Sequence, residues 1–489
     1  MMSDEWSAFL PILSGFSPHR VTASPCHRVF SLSPSPMSQN RTAKPKLTEG
    51  SVSQHLVKLT IPMIWGVFAV IAFNLVDTYF VGQLGTLELA AMSFTFPVVM
   101  TLGSLAMGLG IGASSVIARA IGEGDRAKVQ RLTTDSLTLS LLAVIFFAIV
   151  GLATIDPLFK ALGAGSDVLP FIRGYMQIWY FGMICLVVPM VGNNAIRASG
   201  NTMTPSIIMT VAAGVNIILD PLLILGWGGF PRLEIEGAAI ATVISRATTL
   251  VASLLVLHYR ERMLCFNLPK PQKLLRSWQN ILYIGLPAAA TSVITPVSIG
   301  LITAMLATYG AGTVAAFGIA SRIESFVLIV LNALAASIGP FVGQNWGAKK
   351  YPRVCQALNL SFLFCLFWGI LMAAILAPTA ARLVSVFDDN PDVMGIATTY
   401  LRLVPISYAA AGIVLVASSA FNALGKPLPS LVMTIARTIV LYLPLAYLGS
   451  QWLGTSGIFA AACFSNIIVG IGAFWWNRKT CYTQAVSPS

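Results

Sequence analysis

Residues 59–81 read LTIPMIWGVFAVIAFNLVDTYFV, twenty-three positions with a single charged side chain, Asp77. An apolar run of about 20 residues is what a helix needs to cross roughly 30 Å of hydrocarbon. Twelve such runs follow one another between residues 57 and 476 and leave no room for a sizeable soluble domain. The 489-residue chain as a whole is 56% hydrophobic and 10% charged, with a mean hydropathy of +0.79. Soluble chains carry roughly 25% charged residues. Backbone polar groups in lipid need partners inside the same segment, which makes spans of this length helices. Outward-alternating strands of about ten residues are a different pattern. The expected fold class is therefore an all-α polytopic membrane protein with twelve transmembrane helices.

The net charge of +12 raises the question of nucleic acid, and its distribution answers it. If the N-terminus is cytoplasmic, the loops after even-numbered spans face inward, and they hold Arg119, Arg126, Lys128, Arg131, Lys270, Lys273, Lys349, Lys350 and Arg353. The opposite loops hold only Lys160, Arg173, Arg232, Arg382 and Arg402, beside most of the loop acids. This is the positive-inside pattern. It predicts a multi-pass protein of the cell inner (plasma) membrane with both termini cytoplasmic, in contact with membrane lipids and not with nucleic acid. Seven cysteines without a CxxC predict free thiols rather than a disulfide framework or zinc site. Residues 1–52, rich in Ser and Pro at the start, are expected to be a disordered cytoplasmic tail, with Met37 as an alternative natural start.

Sliding the sequence on itself by 225 residues pairs Pro62 with Pro287, Gly122 with Gly347, Tyr175 with Tyr400, and Gly200 with Gly425. One constant shift that matches turn glycines, a helix-start proline and loop residues over six spans predicts two six-helix bundles of the same orientation, an arrangement found in transporters. The expected organisation is an N-terminal bundle over 53–258, a cytoplasmic linker over 259–280, a C-terminal bundle over 281–478 and a tail over 479–489. The repeat is also a control. Residues shared by both halves read as architecture, and polar residues unique to one half are functional candidates. Asp77 maps onto Ile302, Asn216 onto Leu441 and Asp220 onto Leu445; with the five-residue shortening marked by Gly237 and Gly457, Thr242 maps onto Ala462. On this reading the polar chemistry lies in the first half.

A carboxylate at mid-helix costs roughly 2.5 to 3.5 kcal/mol on insertion scales and normally marks an ion or substrate pathway. Asp77 and Asp220 are embedded well inside spans without a basic neighbour in sequence. Asp77 lies 16 residues after Ile61, about 24 Å along its helix, and Asp220 lies 14 after Ser206, about 21 Å. Thr242 reaches a similar level from the outer side. Asn216, four residues before Asp220 in GVNIILDPLLI (214–224), shares its face. Pro221 leaves the carbonyl of Ile217 without a donor and is expected to bend the helix. Two carboxylates in one desolvated cavity resist joint ionisation, so one can take up a proton; Na+ is the other tenant that suits these oxygens. The competing reading is that both acids cap broken helices. Tyr175 has a repeat counterpart, so architecture explains it as well as function does. Glu324, two residues from Arg322, reads as a helix-end charge with a neutralising partner.

The chain contains no GxxxxGK[ST], no HExxH and no GxSxG, and none of its four histidines lies mid-span. ATP-driven transport and membrane enzymes are therefore poor readings, and no cofactor or metal is expected beyond a coupling ion.

Several stretches together resemble the multidrug and toxic compound extrusion (MATE) family: LTIPMIWGVFAVIAFNLVDTYFVGQLGTLELAAMSF, ARAIGEGDRAKV, GNNAIRASGNTMTPSIIM, GVNIILDPLLILG and GAAIATVIS, with second-half echoes FGIASRIESF and VGQNWGAKKYPRV. The resemblance covers residues 53–478 and is greatest to the DinF-like branch. It implies a cation-coupled antiporter, driven by H+ in preference to Na+, that exports bulky amphipathic or cationic drug-like compounds by alternating access, as a monomer. It also implies a site at Asp77, Asn216, Asp220 and Thr242, with Tyr175 and Asn193 as further members of the network. The rival on the same fold is a flippase or exporter of a lipid-linked or other specific metabolite. A lipid-linked cargo calls for mid-span cations to hold pyrophosphate; these are few, with Arg437 the main candidate, which disfavours that rival.

Overall fold

A computed structural model describes residues 47–486 apart from Gln83, Gly85, Phe266, Leu268 and Pro269. The expected tail up to residue 46, the alternative start at Met37 and the last three residues lie outside the described residues. The helices are α1 (Val52–Val81), α2 (Thr86–Glu123), α3 (Arg126–Ala161), α4 (Leu169–Ala198), α5 (Met203–Ile224), α6 (Glu234–Leu255), α7 (Pro271–Ala307), α8 (Ala311–Gly347), α9 (Tyr351–Val384), α10 (Pro391–Leu403), α11 (Tyr408–Ala423), α12 (Pro427–Ile435), α13 (Leu443–Leu453) and α14 (Thr455–Val486). A 3-10 turn, Val404–Ser407, joins α10 to α11, and a π-helical segment, Ala436–Tyr442, joins α12 to α13, so each pair crosses as one span. Twelve helical spans result, and no strand occurs among the described residues.

Local chemistry sets the ends. Proline opens α7, α10 and α12, where its missing N–H costs nothing. Asp125 caps α3 by accepting from the Lys128 amide at 2.9 Å, and Asn390 caps α10 by accepting from the Asp392 amide at 3.0 Å. Gly200 (φ +86°) and Gly425 (φ +75°), partners in the repeat, turn the chain after α4 and α11 in the left-handed region that only glycine enters freely.

Small residues bring the halves together. A Cβ placed on Gly108 of α2 would lie 2.4 Å from the Gly285 carbonyl of α7, so the two backbones touch, as small-residue seams allow in membranes. At the end of the bundle that carries the basic loops, the halves interlock reciprocally. Ser115 Oγ donates to the Asn422 carbonyl at 2.5 Å, and Gln344 Nε2 donates to the Ala198 carbonyl at 2.7 Å. A Cβ on Gly122 would sit 2.1 Å from the Gln344 carbonyl, and one on its repeat partner Gly347 2.1 Å from the Arg119 carbonyl.

Residues 47–51 are held at this same end. The Leu47 amide donates to Gln344 Oε1 at 3.2 Å, Asn345 Nδ2 to the Leu47 carbonyl at 3.2 Å, Lys350 Nζ to the Thr48 carbonyl at 3.0 Å and Arg353 Nη1 to the Gly50 carbonyl at 2.8 Å. The first residues before α1 thus form a strap bound to the second half, whereas the sequence places them in the tail. The linker is likewise anchored. Its second part is already α7, and its loop is tied to α3 by Arg131 Nη1 to the Asn267 carbonyl at 3.0 Å and by the Cys265 amide to Thr134 Oγ1 at 2.9 Å.

Candidate functional site

α1 and α5 run side by side in the same direction, and their register follows from one close contact. A Cβ on Gly66 would meet the Ser206 Cα at 3.2 Å, so position 77 of α1 stands level with position 217 of α5, between Asn216 and Asp220. α6 returns antiparallel. Gly237 packs on Leu223, where a Cβ would lie 2.4 Å from its carbonyl, and Ser245 Oγ donates to the Ala212 carbonyl at 2.9 Å. That register sets Thr242 at the same level. The four residues expected to form the site therefore converge from three helices on one layer.

Within the layer Asn216 Nδ2 donates to Asp220 Oδ1 at 3.0 Å, and both side chains are fully buried. Asp220 Oδ2, Asn216 Oδ1 and Asp77 Oδ1 are buried with no hydrogen-bond partner. Buried polar atoms are nearly always satisfied, and here three oxygens in one layer keep hydrogen-bonding capacity that the protein does not use. Asp220 feels the charge of Asp77, and so does Tyr175 of α4, itself buried. Thr242 is half-buried at this level and makes no hydrogen bond to the acids. Asn193 is not part of the layer. It lies 18 residues beyond Tyr175 on α4, about 27 Å further along the helix, towards the basic-loop end.

Pro221 does not break α5, which is helical to Ile224. The proline falls in the last turn, where few intrahelical bonds remain to be lost, and the helix ends three residues later.

One member of the site escapes a search along the sequence. Arg246, four residues after Thr242 and on the same face of α6, lies with its Cζ 5.1 Å from the centre of the Phe73 ring, and Phe73 is one turn before Asp77. Arg246 and Asp77 are within electrostatic reach but form no ion pair within 4.0 Å, and Arg246 Nε is buried without an acceptor. A mid-span arginine was itself the available signal.

The second half is also polar, contrary to the expectation from the repeat. Glu324 is no helix-end charge. It lies 13 residues into α8 and accepts a hydrogen bond from Tyr400 Oη at 2.5 Å, while Arg322 is exposed. The charge facing Glu324 is Arg437, in the π segment of the eleventh span. The sequence reading paired Glu324 with its nearest basic residue in the chain; the fold pairs it across helices.

The sequence profile of the MatE family matches this chain twice, over residues 62–222 and 287–448, so the second match starts 225 residues after the first. A protein of Shewanella oneidensis described as an FAD transporter is 40% identical over 435 residues, 89% of this chain and 96% of that protein. The multidrug export protein MepA of Staphylococcus haemolyticus is 25% identical over 412 residues, 84% of this chain and 90% of its own. Among solved structures, the Vibrio cholerae MATE transporter VcmN in its bent form superposes with a TM-score of 0.83 at 32% identity, over 89% of this chain and 98% of that one. With its twelve helical spans and its two matched halves, this chain belongs to the MATE family of membrane transporters, which are not enzymes.

Proposed function

We propose that the protein is a secondary active exporter in which the first-half layer of Asp77, Asn216 and Asp220 binds the coupling cation, H+ in preference to Na+. The carrying observation is the set of buried, unpartnered oxygens on Asp77, Asn216 and Asp220. Two acids in one desolvated layer favour a shared proton over joint ionisation, and Arg246 opposite Asp77 adds a positive charge that disfavours a fixed metal cation. In an alternating-access cycle, proton uptake from the outer side neutralises the layer and releases cargo there. Proton loss towards the inner side resets it. Both steps run at chemistry already present in the chain, with the inner membrane as the expected location and a monomer as the working unit.

The cargo is bulky, amphipathic and aromatic. Drug-like cations fit the acids of the layer and the description of MepA. A second reading, a flavin nucleotide as cargo, is favoured by a specific observation: two half-buried arginines, Arg246 and Arg437, keep guanidinium donors without protein acceptors among the described residues. Arginine is the side chain suited to phosphate and carbonyl oxygens. The Shewanella relative carries the same cargo in its description. The test is uptake into everted vesicles of ethidium and of FAD under an imposed proton or sodium gradient. Uptake driven by the proton gradient and abolished by an uncoupler supports the proposal; uptake indifferent to both gradients overturns it.

A further inference from the structure

Glu324, Arg437, Tyr400, Tyr408 and Tyr442 form a cluster that the first-half coupling layer leaves unused. They come from four different elements: α8, the π segment, and the two helices of the tenth span. Tyr400 Oη donates to Glu324 Oε2, while Arg437, Tyr408 and Tyr442 lie within electrostatic reach of the same carboxylate. Glu324 and Arg437 form no ion pair within 4.0 Å, and Arg437 donates to no acceptor among the described residues. Tyr408 is fully buried, yet its hydroxyl has no partner. Glu324, Arg437 and Tyr442 are half-buried, so each keeps part of its surface accessible.

The backbone is unusual at the same place. Arg437 and Tyr442 both lie in the π-helical segment Ala436–Tyr442, ahead of Pro444, which lacks the N–H that the preceding turn would use. Segments of this kind are frequent at functional sites. The repeat gives no architectural reason for these side chains. Under the 225-residue shift Glu324 falls on Val99, Tyr408 on Met183, Arg437 on Ala212 and Tyr442 on Ile217. Only Tyr400 has a like partner, Tyr175.

The hydrogen-bonding inventory narrows what fits. Glu324 as a carboxylate only accepts, Arg437 only donates, and a tyrosine hydroxyl does either. An apolar cation leaves Arg437 unanswered, and an inorganic anion leaves Glu324 repelled. A flat ring whose edge alternates carbonyl oxygens with N–H groups answers both charges and can lie against the half-buried ring of Tyr442. We infer that this second-half cluster binds the heteroaromatic head of the cargo, of the flavin or purine kind, by its carbonyl and N–H edge. The inference rests on the reading that flavin nucleotides are cargo.

The test uses full-length protein in everted vesicles, with FAD as the transported probe, riboflavin as a competitor that carries the ring alone, and gradient-driven ethidium uptake as the check that each variant is folded. Glu324→Gln, Arg437→Gln and the milder Tyr408→Phe should raise the KM for FAD and weaken competition by riboflavin. For the two charged positions the change expected is about tenfold or more, the loss of one hydrogen bond to a charged group. Arg322→Gln, exposed on the same helix, should leave both unaltered. Unchanged KM and competition in all three cluster variants overturn the inference while leaving flavin transport intact. Wild-type protein that takes up ethidium but no FAD overturns the flavin reading itself, and the subsite with it.

Discussion

Asp77 meets its partners only through the fold. In the chain it stands alone in a span; in space Asp220, Tyr175 and Arg246 all feel its charge. Asp77→Asn keeps the size and removes the titrating oxygen. It should cut proton-driven uptake by ~5- to 150-fold, the range of a typical coupling free energy, and leave the remaining uptake insensitive to the pH gradient. Asp220→Asn should do the same with an added loss of stability, because it disturbs the bond from Asn216. Uptake measured against the size of the imposed pH gradient checks both, and a full gradient response in Asp77→Asn counts against the coupling role. The depth of these residues was legible because helix rise is fixed at about 1.5 Å per residue, and two carboxylates in apolar runs announce their own cost. Arg246 and Glu324 were not legible in the same way. Their partners sit on other helices, and proximity along the chain pointed Glu324 to Arg322 instead. Tyr400 illustrates the consequence. The sequence makes it a copy of Tyr175 with little to do, yet it donates to the half-buried Glu324, so Tyr400→Phe should impair transport rather than leave it unchanged.

At the scale of elements, glycine sets how closely the two halves approach. Gly122 at the end of α2 and Gly347 at the end of α8 are repeat partners, and each faces a backbone carbonyl of the other half so closely that a methyl group has no space. The neighbours in question are main chain and cannot swing aside. Gly122→Ala should therefore cost about 1 to 3 kcal/mol of the interlocked arrangement, the usual penalty of overpacking. The loss should appear as faster labelling of a thiol-reactive probe at Ser115→Cys, which the interlock covers. Labelling at the wild-type rate contradicts the close approach. These glycines could be picked out from the 225-residue repeat, but the reason for them could not. The repeat says that two turns are alike, whereas the contact between α2 and α8 is a matter of packing. The strap at residues 47–51 was hidden for a related reason. Its polar composition resembles a tail, and its order comes from Gln344, Asn345, Lys350 and Arg353, some 300 residues away.

At the scale of the whole molecule, the interlock closes the basic-loop end through bonds that each half gives to the other. Ser115 of the first half reaches the end of α11, and Gln344 of the second reaches the end of α4. A transporter that works by alternating access has to part these contacts once per cycle, since a single rigid arrangement never exposes the coupling layer to both sides. Joining the halves here should stop transport without harming the site. A short bis-methanethiosulfonate cross-linker, which forms a disulfide with each thiol and loses sulfinate, bridges in the double variant Ser115→Cys, Asn422→Cys two positions whose own atoms lie 2.5 Å apart, Ser115 Oγ and the Asn422 carbonyl. Cross-linked protein should bind cargo from the opposite side with wild-type affinity, transport none of it, and regain transport when the linker is cleaved. The cross-linked fraction is read from the mass of the joined peptide. Transport that persists in fully cross-linked protein would mean that cargo passes without the halves separating at this end, and the layer of Asp77, Asn216 and Asp220 would then serve a channel-like path rather than a rocking one.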